Sequence, residues 1–539
     1  MELLNRLMAL QQRDGALTDD ALKALARELR LPLYRLEGLR SFYPFFRMQP
    51  GAPRRLSVCR DVACRMRAGP GFPESVAQAL ADVDGVAVEP VSCLGLCHAA
   101  PAALAGDVPV CGDAATLRDG MTGRRPQPLV GDPPAEIAEV DPYPGADARY
   151  GTLAELLRSG SPDAVIETLE ASELRGMGGA GFPTGRKWRF TRAAQGMPRT
   201  VVCNADESEP GTFKDRLLLE RAPHLVVEAM VIGGWVVGAG HGIIYLRHEY
   251  EHARETLEQA LERARGAGML GRDILGSGFD FELELFISPG GYIMGEETAL
   301  LEGLEDKRGE PRNKPPFPTQ VGYNGGPTLM NNVETFALIP RILQDGAAAW
   351  KARGRDGYNG LKFLSVSGDV LAPGVYCVAT GTPIREVIEH AGGMAEGRQL
   401  YAFSPGGAST PFLPAERADT PVDFDALARA GAGLGSGALF VVGEGRDLLD
   451  LAIQQVRFFR SESCGKCVPC RVGSAQAVRK LEAAQNGAPE SGLASLLEEL
   501  DETLAQTSIC GLGQVALTPI MSLLHHFPNE AARLRREHA

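Results

Sequence analysis

The spacing of apolar residues predicts a helical start to the chain. Leucines at positions 3, 4, 7 and 10 recur at helical intervals, and the same periodicity continues from Ala21 to Leu29. Glu2 and Asp14 fall within the first of these stretches, so it is predicted to be an amphipathic helix and not a signal peptide. We predict a small helical unit over residues 1–48.

Short apolar runs of the kind found in β-strands begin at Arg55. Two of them, L-S-V and V-A-V-E-P-V-S, each lead directly into a pair of cysteines. We therefore predict a strand-rich domain over 49–125. The proline-rich stretch 126–149 that follows breaks regular structure and is predicted to be a semi-rigid linker and domain boundary. Its prolines stand at 126, 128, 133, 134, 142 and 144.

Beyond the linker, helical and strand-like patterns alternate, which is typical of an α/β domain. Residues 150–173 are predicted to be helical, and 200–203, 243–246 and 282–287 are predicted to be strands. Polar residues follow the first of these strands, where α/β proteins place their ligand-binding loops. We predict a Rossmann-like domain over 150–350.

The last third of the chain contains two further patterns. Strand, turn, strand and short helix follow one another between Leu361 and Leu413, which resembles a β-grasp module and is assigned to 360–420. A short strand, A-L-F-V-V, and then helices rich in Leu, Ala, Arg and Glu occupy 436–539. The predicted fold class is a multidomain α/β protein that ends in a helical bundle.

Length and charge narrow the classes of function. A chain of 539 residues exceeds the roughly 250–300 residues at which single cores stop growing. The net charge of −13 repels phosphate backbones and anionic lipid, which argues against nucleic acid as a partner. The apolar stretch 229–246 contains five glycines and His241, so a helix, a turn and a strand explain it better than a membrane span. We expect a cytoplasmic protein without direct membrane insertion.

Seven of the eleven cysteines stand at close spacings. Because the N-terminus does not look like an export signal, we favour metal or cluster ligation over disulfides. Cys59 and Cys64 form C-x4-C, and Cys93 and Cys97 form C-x3-C. Four thiolates from two loops suit a [2Fe-2S] cluster. The alternatives are a zinc site, although zinc favours C-x2-C spacing, and unligated thiols.

A second group of cysteines carries the most specific spacing in the chain. Cys464, Cys467 and Cys470 form C-x2-C-x2-C, and Cys510 follows in S-I-C-G-L-G. Three closely spaced thiolates and a distant fourth are the ligand pattern of a [4Fe-4S] cluster, and zinc rarely uses the triple.

The glycine-rich stretch 175–190 can lie against a flat ligand. Four glycines between 176 and 181 remove the side chains that would hold the backbone away, while Phe182, Lys187 and Phe190 offer ring faces and a positive charge. The spacing differs from the G-x-G-x-x-G of a dinucleotide fold, so the stretch is a weak signal when taken alone.

Carboxylates gather after the predicted strand 200–203, at Asp206, Glu207 and Glu209, next to Asn204. A solvated acidic loop is the plainer explanation, but the position behind an apolar strand favours presentation to a ligand. Such carboxylates accept hydrogen bonds from ribose hydroxyls or a nicotinamide amide.

A second polar turn, G-G-Y-I-M-G-E-E-T, leads into a helix predicted to begin near Gly295. Glycines before a helix N-terminus form a natural anion site, which suits a flavin phosphate. Alternatively, Glu296 and Glu297 only complement the helix dipole. Further aromatic and amide-bearing turns occur at Lys314–Pro318 and at Asn331 and Asn332.

Together these motifs resemble a known family. It comprises the FMN- and NADH-binding subunit of respiratory complex I and the diaphorase subunits of NAD-reducing hydrogenases and NAD-dependent formate dehydrogenases. The resemblance covers about residues 150–535 in unbroken order. It rests on R-G-M-G-G-A-G-F-P-T-G-R-K-W, N-A-D-E-S-E-P-G-T-F-K-D-R, G-Y-I-M-G-E-E-T-A-L, K-P-P-F-P, N-N-V-E-T and E-S-C-G-K-C-V-P-C-R-V-G.

Residues 1 to about 125 resemble the thioredoxin-like [2Fe-2S] subunit of the same systems, in both the helical start and the two cysteine pairs. The resemblance implies that Cys59, Cys64, Cys93 and Cys97 hold a [2Fe-2S] cluster. Complex I usually carries these two units as separate chains, and their fusion is more typical of the soluble dehydrogenases.

The resemblance also implies roles for single residues. Glu209 and Glu297 are the candidate catalytic residues, because they would hold the nicotinamide over the flavin. Small departures occur at Met177, Ser208 and Met294, and none of them removes a ligand. NAD(H) is expected to stack on Phe182, Phe190 and Phe317. FMN is expected to contact Gly176, Gly178, Lys187, Asn204, Asp206, Glu207, Tyr292, Gly295, Glu296, Asn331, Asn332 and Thr335.

The activity implied by the resemblance is electron transfer between NAD(H), FMN and the iron–sulfur clusters. Because the chain carries no molybdopterin, nickel or quinone motif, the other half-reaction is expected on a partner subunit. We expect the α subunit of a molybdenum or tungsten formate dehydrogenase first, a hydrogenase second and complex I third. A non-catalytic, zinc-structured scaffold is the alternative from a different class, and the intact flavin motifs argue against it.

Overall fold

The computed structural model describes residues 2–124, 130–131 and 136–534. Leu3, Leu4 and Leu7 are buried on one face of the first helix, as their spacing predicts. The Asp306 carboxylate accepts hydrogen bonds from the amides of Leu3 and Leu4 at 3.1 and 2.9 Å, which ties this helix to the domain that contains the glycine stretch. The helices are α1 (Glu2–Asp14), α2 (Asp19–Leu29) and α3 (Leu33–Phe42).

The next unit is a mixed sheet with the strand order β2-β1-β3-β4. Strands β1 and β2 run parallel, so the cysteine pairs that follow them lie at the same end of the sheet. The other two pairings are antiparallel. The elements are β1 (Arg54–Cys59), α4 (Val62–Ala68), α5 (Phe72–Ala79), β2 (Val86–Val91), β3 (Ala102–Ala105), β4 (Val108–Cys111) and α6 (Ala114–Met121).

Part of the predicted linker packs against the neighbouring domain. The prolines at 126, 128, 133 and 134 lie outside the described residues. Farther along, the Tyr143 hydroxyl donates to the buried Glu228 carboxylate at 2.7 Å, and Asp141 lies 3.0 Å from His224. The second half of the linker is therefore anchored by buried polar groups, which its proline content alone does not reveal.

The following domain contains a parallel sheet with the order β7-β6-β5-β8. All three predicted strands are present, and β8 completes the sheet. The predicted helical stretch 150–173 divides in two because Gly160 and Pro162 interrupt it. The elements are α7 (Gly151–Ser159), α8 (Pro162–Ala171), α9 (Thr184–Ala193), β5 (Thr200–Ala205), α10 (Lys214–Arg221), α11 (Pro223–Val237), β6 (His241–Arg247), α12 (Glu251–Gly266), β7 (Glu282–Ser288), α13 (Glu297–Leu304), β8 (Thr328–Asn332), α14 (Val333–Asp345) and α15 (Ala347–Lys351).

A five-stranded sheet follows, with the order β10-β9-β13-β11-β12. The strand assigned from sequence to the start of the last segment, β13, lies inside this sheet, between β9 and β11. All six of its residues are buried, so it needs partners on both edges, and the sequence does not identify them. The elements are β9 (Leu361–Gly368), β10 (Gly374–Ala379), α16 (Ile384–His390), β11 (Leu400–Ser404), β12 (Leu413–Pro414), α17 (Phe424–Arg429) and β13 (Ala438–Gly443).

The chain ends in a helical domain that contacts the first sheet. Arg65 of α4 binds the Asp450 carboxylate through two hydrogen bonds of 2.6 Å. Among the described residues, no helix is both long and apolar enough to cross a membrane. The helices are α18 (Leu448–Ser461), a π-helical turn (Pro469–Gly473), α19 (Ser474–Gln485), α20 (Leu493–Thr507), α21 (Gly511–Gln514), α22 (Thr518–His526) and α23 (Pro528–Leu534).

Candidate functional site

The end of β5 brings the predicted polar loop against the second polar turn. The Asn204 side-chain amide donates to the Gly295 carbonyl at 2.8 Å. A Cβ built on Gly295 would lie only 3.4 Å from the Asp206 carbonyl, so the two loops are in close contact. Residues that are 91 positions apart in the sequence therefore form one cleft edge.

Asp206 is buried and keeps one unsatisfied oxygen. Its Oδ2 accepts a hydrogen bond from the Ser208 hydroxyl at 2.9 Å, while Oδ1 makes no well-formed hydrogen bond, although the Ser288 hydroxyl lies close enough to lower the pKa of this carboxyl. Burial raises the pKa of this carboxyl to about 7. Because buried polar atoms are nearly always paired, the free oxygen fits a ligand that donates an N–H or O–H, as a flavin ring or its ribityl chain does.

Glu207 has a structural role that the sequence did not predict. Its two oxygens accept from the amides of Asp215 and Arg216 at the start of α10, at 2.8 and 3.0 Å. The Tyr250 hydroxyl also donates to this carboxylate at 3.1 Å. Its hydrogen-bonding capacity is thus directed at a helix N-terminus.

Glu209 is held in place by a second domain. Its Oε1 accepts from the Ser409 amide at 2.8 Å and from the Ser409 hydroxyl. The Tyr292 hydroxyl is hydrogen-bonded to the same carboxylate. Burial raises the pKa of Glu209, and these donors oppose that shift. Ser409 was not a predicted site residue, because nothing in the sequence links positions 200 apart.

The glycine stretch packs where side chains would collide. A Cβ on Gly178 would lie 2.9 Å from the Asn332 Cβ, and one on Gly181 would lie 3.0 Å from the Phe424 ring at a φ of +61°. The Met177 amide donates to the Thr335 hydroxyl at 2.9 Å. Gly176 closes the loop through its amide, which donates to the Phe182 carbonyl at 2.8 Å.

The two asparagines support this cleft mainly through protein contacts. Asn331 Oδ1 accepts from the Trp188 indole at 3.1 Å. Asn332 donates to Asp215 at 2.5 Å and caps α14 by accepting from the Glu334 amide at 3.0 Å. Asn332 therefore shapes the floor of the cleft, and its amide retains one N–H donor and one oxygen lone pair for a ligand.

Lys187 supplies the positive charge that the sequence predicted at this edge. Its Nζ donates to the Met330 carbonyl at 3.1 Å, and burial lowers its pKa. An ammonium group has three donors, so this residue retains donors for a ligand oxygen.

Glu296 and Glu297 share one lysine at the second turn. Glu296 caps α13 through the amides of Thr298 and Ala299, both at 2.9 Å. Lys314 Nζ lies 2.9 Å from Glu296 and 3.2 Å from Glu297. Helix capping, the alternative weighed from sequence, is thus present at Glu296, and Lys314 joins the site from the K-P-P-F-P motif.

Three predicted stacking residues expose their rings. Phe182, Phe190 and Phe317 are 40%, 46% and 51% exposed. The first two rings lie 6.4 Å apart at an angle of 47°. Exposed aromatic faces suit a planar ligand such as the adenine or nicotinamide of NAD(H).

A buried charge network missed from the sequence lies beneath the cleft. Lys214 Nζ contacts Asp215 at 2.7 Å and Glu334 at 2.8 Å, and Lys362 Nζ contacts Glu334 at 2.6 Å. Burial lowers the pKa of Lys362 to about 8, although Glu334 opposes that shift. The network links the parallel sheet domain to β9 of the five-stranded sheet.

The four N-terminal thiols come together as one group. Cys59 lies within hydrogen-bond reach of Cys64 and Cys93, and the sulfurs of Cys93 and Cys97 are 3.4 Å apart. All four residues are buried. Within the described ranges, no group of three or more His, Cys, Asp or Glu side chains meets the geometry for holding a single metal ion. A [2Fe-2S] cluster distributes four thiolates over two irons, and these four cysteines supply that number.

The C-terminal thiols also converge, with amide donors around them. Cys470 lies within hydrogen-bond reach of Cys467, and the Cys510 thiol accepts from the amides of Leu512 and Gly513. A Cβ on Gly513 would lie 3.0 Å from the Cys470 Cβ, which shows how closely the last ligand approaches the triple. Burial raises the pKa of Cys510 to about 12, and the two amides oppose that shift, as suits a sulfur that ligates a [4Fe-4S] cluster.

Four family profiles match the chain in order. They are the thioredoxin-like [2Fe-2S] ferredoxin at 1–115, the Nuo51 FMN-binding domain at 169–341, the SLBB domain at 363–413 and the NADH-ubiquinone oxidoreductase-F iron–sulfur binding region at 450–534. These matches confirm the predicted fold class and the cofactors FMN, NAD(H), [2Fe-2S] and [4Fe-4S].

Individual relatives match over most of their length. An NADH-quinone oxidoreductase subunit of Rhizobium meliloti is 43% identical over 71% of this chain and 92% of its own. The alpha subunit of the NAD-reducing hydrogenase HoxS of Cupriavidus necator is 36% identical over 98% of this chain and 90% of its own. A crystal structure of an H2-reduced NAD+-reducing [NiFe]-hydrogenase superposes with a TM-score of 0.87 at 33% identity, covering 99% of this chain and 92% of the other.

Proposed function

Because this chain belongs to the family of NADH-binding subunits found in complex I and in NAD-reducing hydrogenases, we propose that it is the electron-transfer subunit of a multi-subunit dehydrogenase. It is an NADH oxidoreductase that depends on flavin and iron–sulfur clusters. The second substrate would react on a partner subunit. The chain itself would exchange electrons with NAD(H).

One observation carries the placement of the flavin and nicotinamide sites. The loop after β5 presents the unpaired Asp206 oxygen and, three residues later, the Glu209 carboxylate. Phe182 and Phe190, which belong to the glycine-rich stretch 175–190, expose their rings. When bound, FMN accepts a hydride from NADH and releases electrons singly. The chain supplies the orientation and the exclusion of water that make this exchange efficient.

The chain's own residues divide the work of binding. Asp206 and Lys187 would hold polar atoms of FMN, and the glycine stretch would let its ring approach the backbone. Glu209 and Glu297 would orient the nicotinamide end of NAD(H), and the exposed phenylalanines would stack on it. No side chain has to act as a general acid or base, because the cofactor carries the reacting atoms.

The partner subunit is the finer part of the proposal. We favour a hydrogenase partner, because the HoxS alpha subunit matches both the [2Fe-2S] and the flavin units of this chain as a single protein. A molybdenum or tungsten formate dehydrogenase, the first expectation from sequence, is the second candidate. The [2Fe-2S] and flavin units lie on one chain, as expected for soluble dehydrogenases in general. This fusion therefore agrees with a formate dehydrogenase as well as with a hydrogenase. A complex I partner fits less well, since the match to the Rhizobium quinone oxidoreductase protein covers only 71% of this chain.

Purification of the native complex tests this choice. Nickel in the complex and NAD+ reduction by hydrogen would establish the hydrogenase. Molybdenum or tungsten and NAD+ reduction by formate would instead establish the formate dehydrogenase. A complex with neither activity, but with NADH oxidation by a quinone, would contradict both. We propose a cytoplasmic location, in keeping with eleven cysteines that form no disulfide in the structure.

A further inference from the structure

Glu462 touches all three candidate cofactor loops, and none of the roles described above uses it. It is the capping residue directly after α18 and lies two residues before Cys464. Its Oε1 accepts a hydrogen bond from the Ser92 hydroxyl at 2.9 Å. Its Oε2 accepts one from the Tyr292 amide at 2.8 Å. These partners are 370 and 170 positions away in the sequence.

Each partner belongs to a different site. Ser92 directly precedes Cys93, a candidate ligand of the [2Fe-2S] cluster. Tyr292 opens the turn that lies against Asn204 and Asp206, and its hydroxyl is bonded to Glu209. Glu462 itself directly precedes the loop of the predicted [4Fe-4S] cluster. The next residue, Ser463, places its Oγ 3.2 Å from the sulfur of Cys470.

The backbone of Glu462 is itself fixed. Its amide donates to the Phe458 carbonyl at 2.9 Å, which closes the last turn of α18. The Tyr292 ring packs against Phe458 and Phe459, with centroids 5.0 and 6.2 Å apart. The helix end, the two aromatic contacts and the two carboxylate hydrogen bonds thus fix the position of Glu462 relative to Tyr292 and Ser92.

We propose that Glu462 is a positioning residue that holds three segments at fixed separations. They are the turn at Tyr292 beside the proposed flavin site, the loop that carries Cys93 and the loop that carries Cys464. The proposal rests on the proposed function, because it assumes that electrons pass between these sites. Each NADH is oxidised to NAD+ with the release of one proton, and its two electrons move singly to oxidised clusters. Such transfers slow steeply as centres separate, so a residue that fixes the separation controls the rate without touching the substrate.

Two substitutions at the same position separate geometry from charge. Glu462→Ala removes both hydrogen bonds. Glu462→Gln removes the charge but can keep both contacts, because its oxygen can accept from the Tyr292 amide and its NH2 can donate to the Ser92 hydroxyl. Asp450→Ala is the matched control, since this carboxylate also joins α18 to the first sheet domain, through Arg65, but makes no hydrogen bond to the turn at Tyr292.

Hydrogen–deuterium exchange of the purified chain tests the contact without any turnover. In Glu462→Ala, we expect the Tyr292 amide to exchange roughly tenfold faster, the size expected when a hydrogen bond to a charged group is lost. Glu462→Gln and Asp450→Ala should leave that amide within about twofold of the parent. Unchanged exchange at Tyr292 in Glu462→Ala would overturn the proposal.

Rapid mixing of the holoprotein with NADH supplies the second readout. In Glu462→Ala, flavin bleaching should stay within about twofold, while cluster bleaching should slow by about tenfold or more. Glu462→Gln should restore the parent rate. A Gln variant as slow as the Ala variant would overturn the positioning role, because it would show that the charge of Glu462, and not its hydrogen bonds, controls the rate. If the parent flavin is not bleached by NADH, the proposed function fails, whereas the exchange experiment still tests the contact.

Discussion

Asp206 and Glu209 lie on one loop, but their surroundings prepare them for different tasks. Asp206 is buried with one oxygen unpaired, whereas Glu209 is fixed by Ser409 and Tyr292. An unpaired buried oxygen carries a free-energy cost until a donor arrives. A carboxylate that is already oriented can accept from a ligand without reorganisation. We therefore propose that Asp206 contacts FMN and that Glu209 orients the nicotinamide.

The raised pKa of Asp206 leads to a pH prediction. Its folded-state pKa of about 7 exceeds the unfolded value of roughly 3.9, so the folded chain retains a proton that the unfolded chain loses. This group's contribution to stability therefore falls as pH rises from about 4 to about 7. Because a donor on FMN stabilises the carboxylate, the increase in Tm caused by FMN should be larger at about pH 8 than at about pH 5.5.

Two variants check the assignment to Asp206. Asp206→Asn should remove most of the pH dependence of the FMN-induced shift in Tm. Glu228→Gln removes another buried carboxyl whose pKa is raised to about 7, but Glu228 is bonded to Tyr143 and lies away from the cleft contacts. It should leave the FMN effect unchanged. A parent-like pH dependence in Asp206→Asn would exclude the contact.

Glu209 is expected to affect turnover and not flavin retention. In Glu209→Ala, we expect kcat/KM for NADH to fall about tenfold or more, while FMN stays bound. Ser409→Ala removes one donor to this carboxylate and should give a smaller fall of the same kind. Steady-state dye reduction measures turnover, and flavin absorbance after gel filtration measures retention. Full activity in Glu209→Ala would refute its role.

At the level of elements, we propose that Glu207 stabilises the start of α10 and does not contact the flavin. Its carboxylate caps this helix and also binds Tyr250, so Glu207→Gln should lower the free energy of unfolding by about 1 kcal/mol. The dissociation constant for FMN, measured by quenching of flavin fluorescence, should change less than about threefold. Loss of FMN binding at parental stability would restore the direct contact expected from the sequence.

Local patterns predicted the elements well, and long-range partners less well. The strands β5, β6 and β7 and the helical ends follow from apolar spacing, because burial of one face sets that spacing. The place of β13 in the five-stranded sheet did not follow, since a fully buried strand carries no information about its neighbours. Similarly, the cysteine spacing predicted the cluster loops. It could not predict that Ser409 contacts Glu209 or that Lys314 contacts Glu296, because these contacts join separate segments of the chain.

At the scale of the whole molecule, the domains are joined by buried charged contacts. Arg446 binds Asp369 through hydrogen bonds of 3.0 and 2.7 Å and donates to the Met66 carbonyl at 3.0 Å. It thus connects the start of the helical domain with both the five-stranded and the first sheet. Together with Arg65 and Glu462, this contact joins the first sheet domain, the parallel-sheet domain, the five-stranded sheet and the helical domain.

As a whole, this single chain is expected to carry FMN and both clusters and to reduce them with NADH. The most direct measurement is an anaerobic NADH titration of the purified holoprotein, followed by visible absorption and electron paramagnetic resonance, with iron, sulfide and flavin analysis. We expect one FMN that bleaches, and signals of a reduced [2Fe-2S] and a reduced [4Fe-4S] cluster. A colourless protein that contains only zinc, or a flavin that NADH does not bleach, would contradict the account.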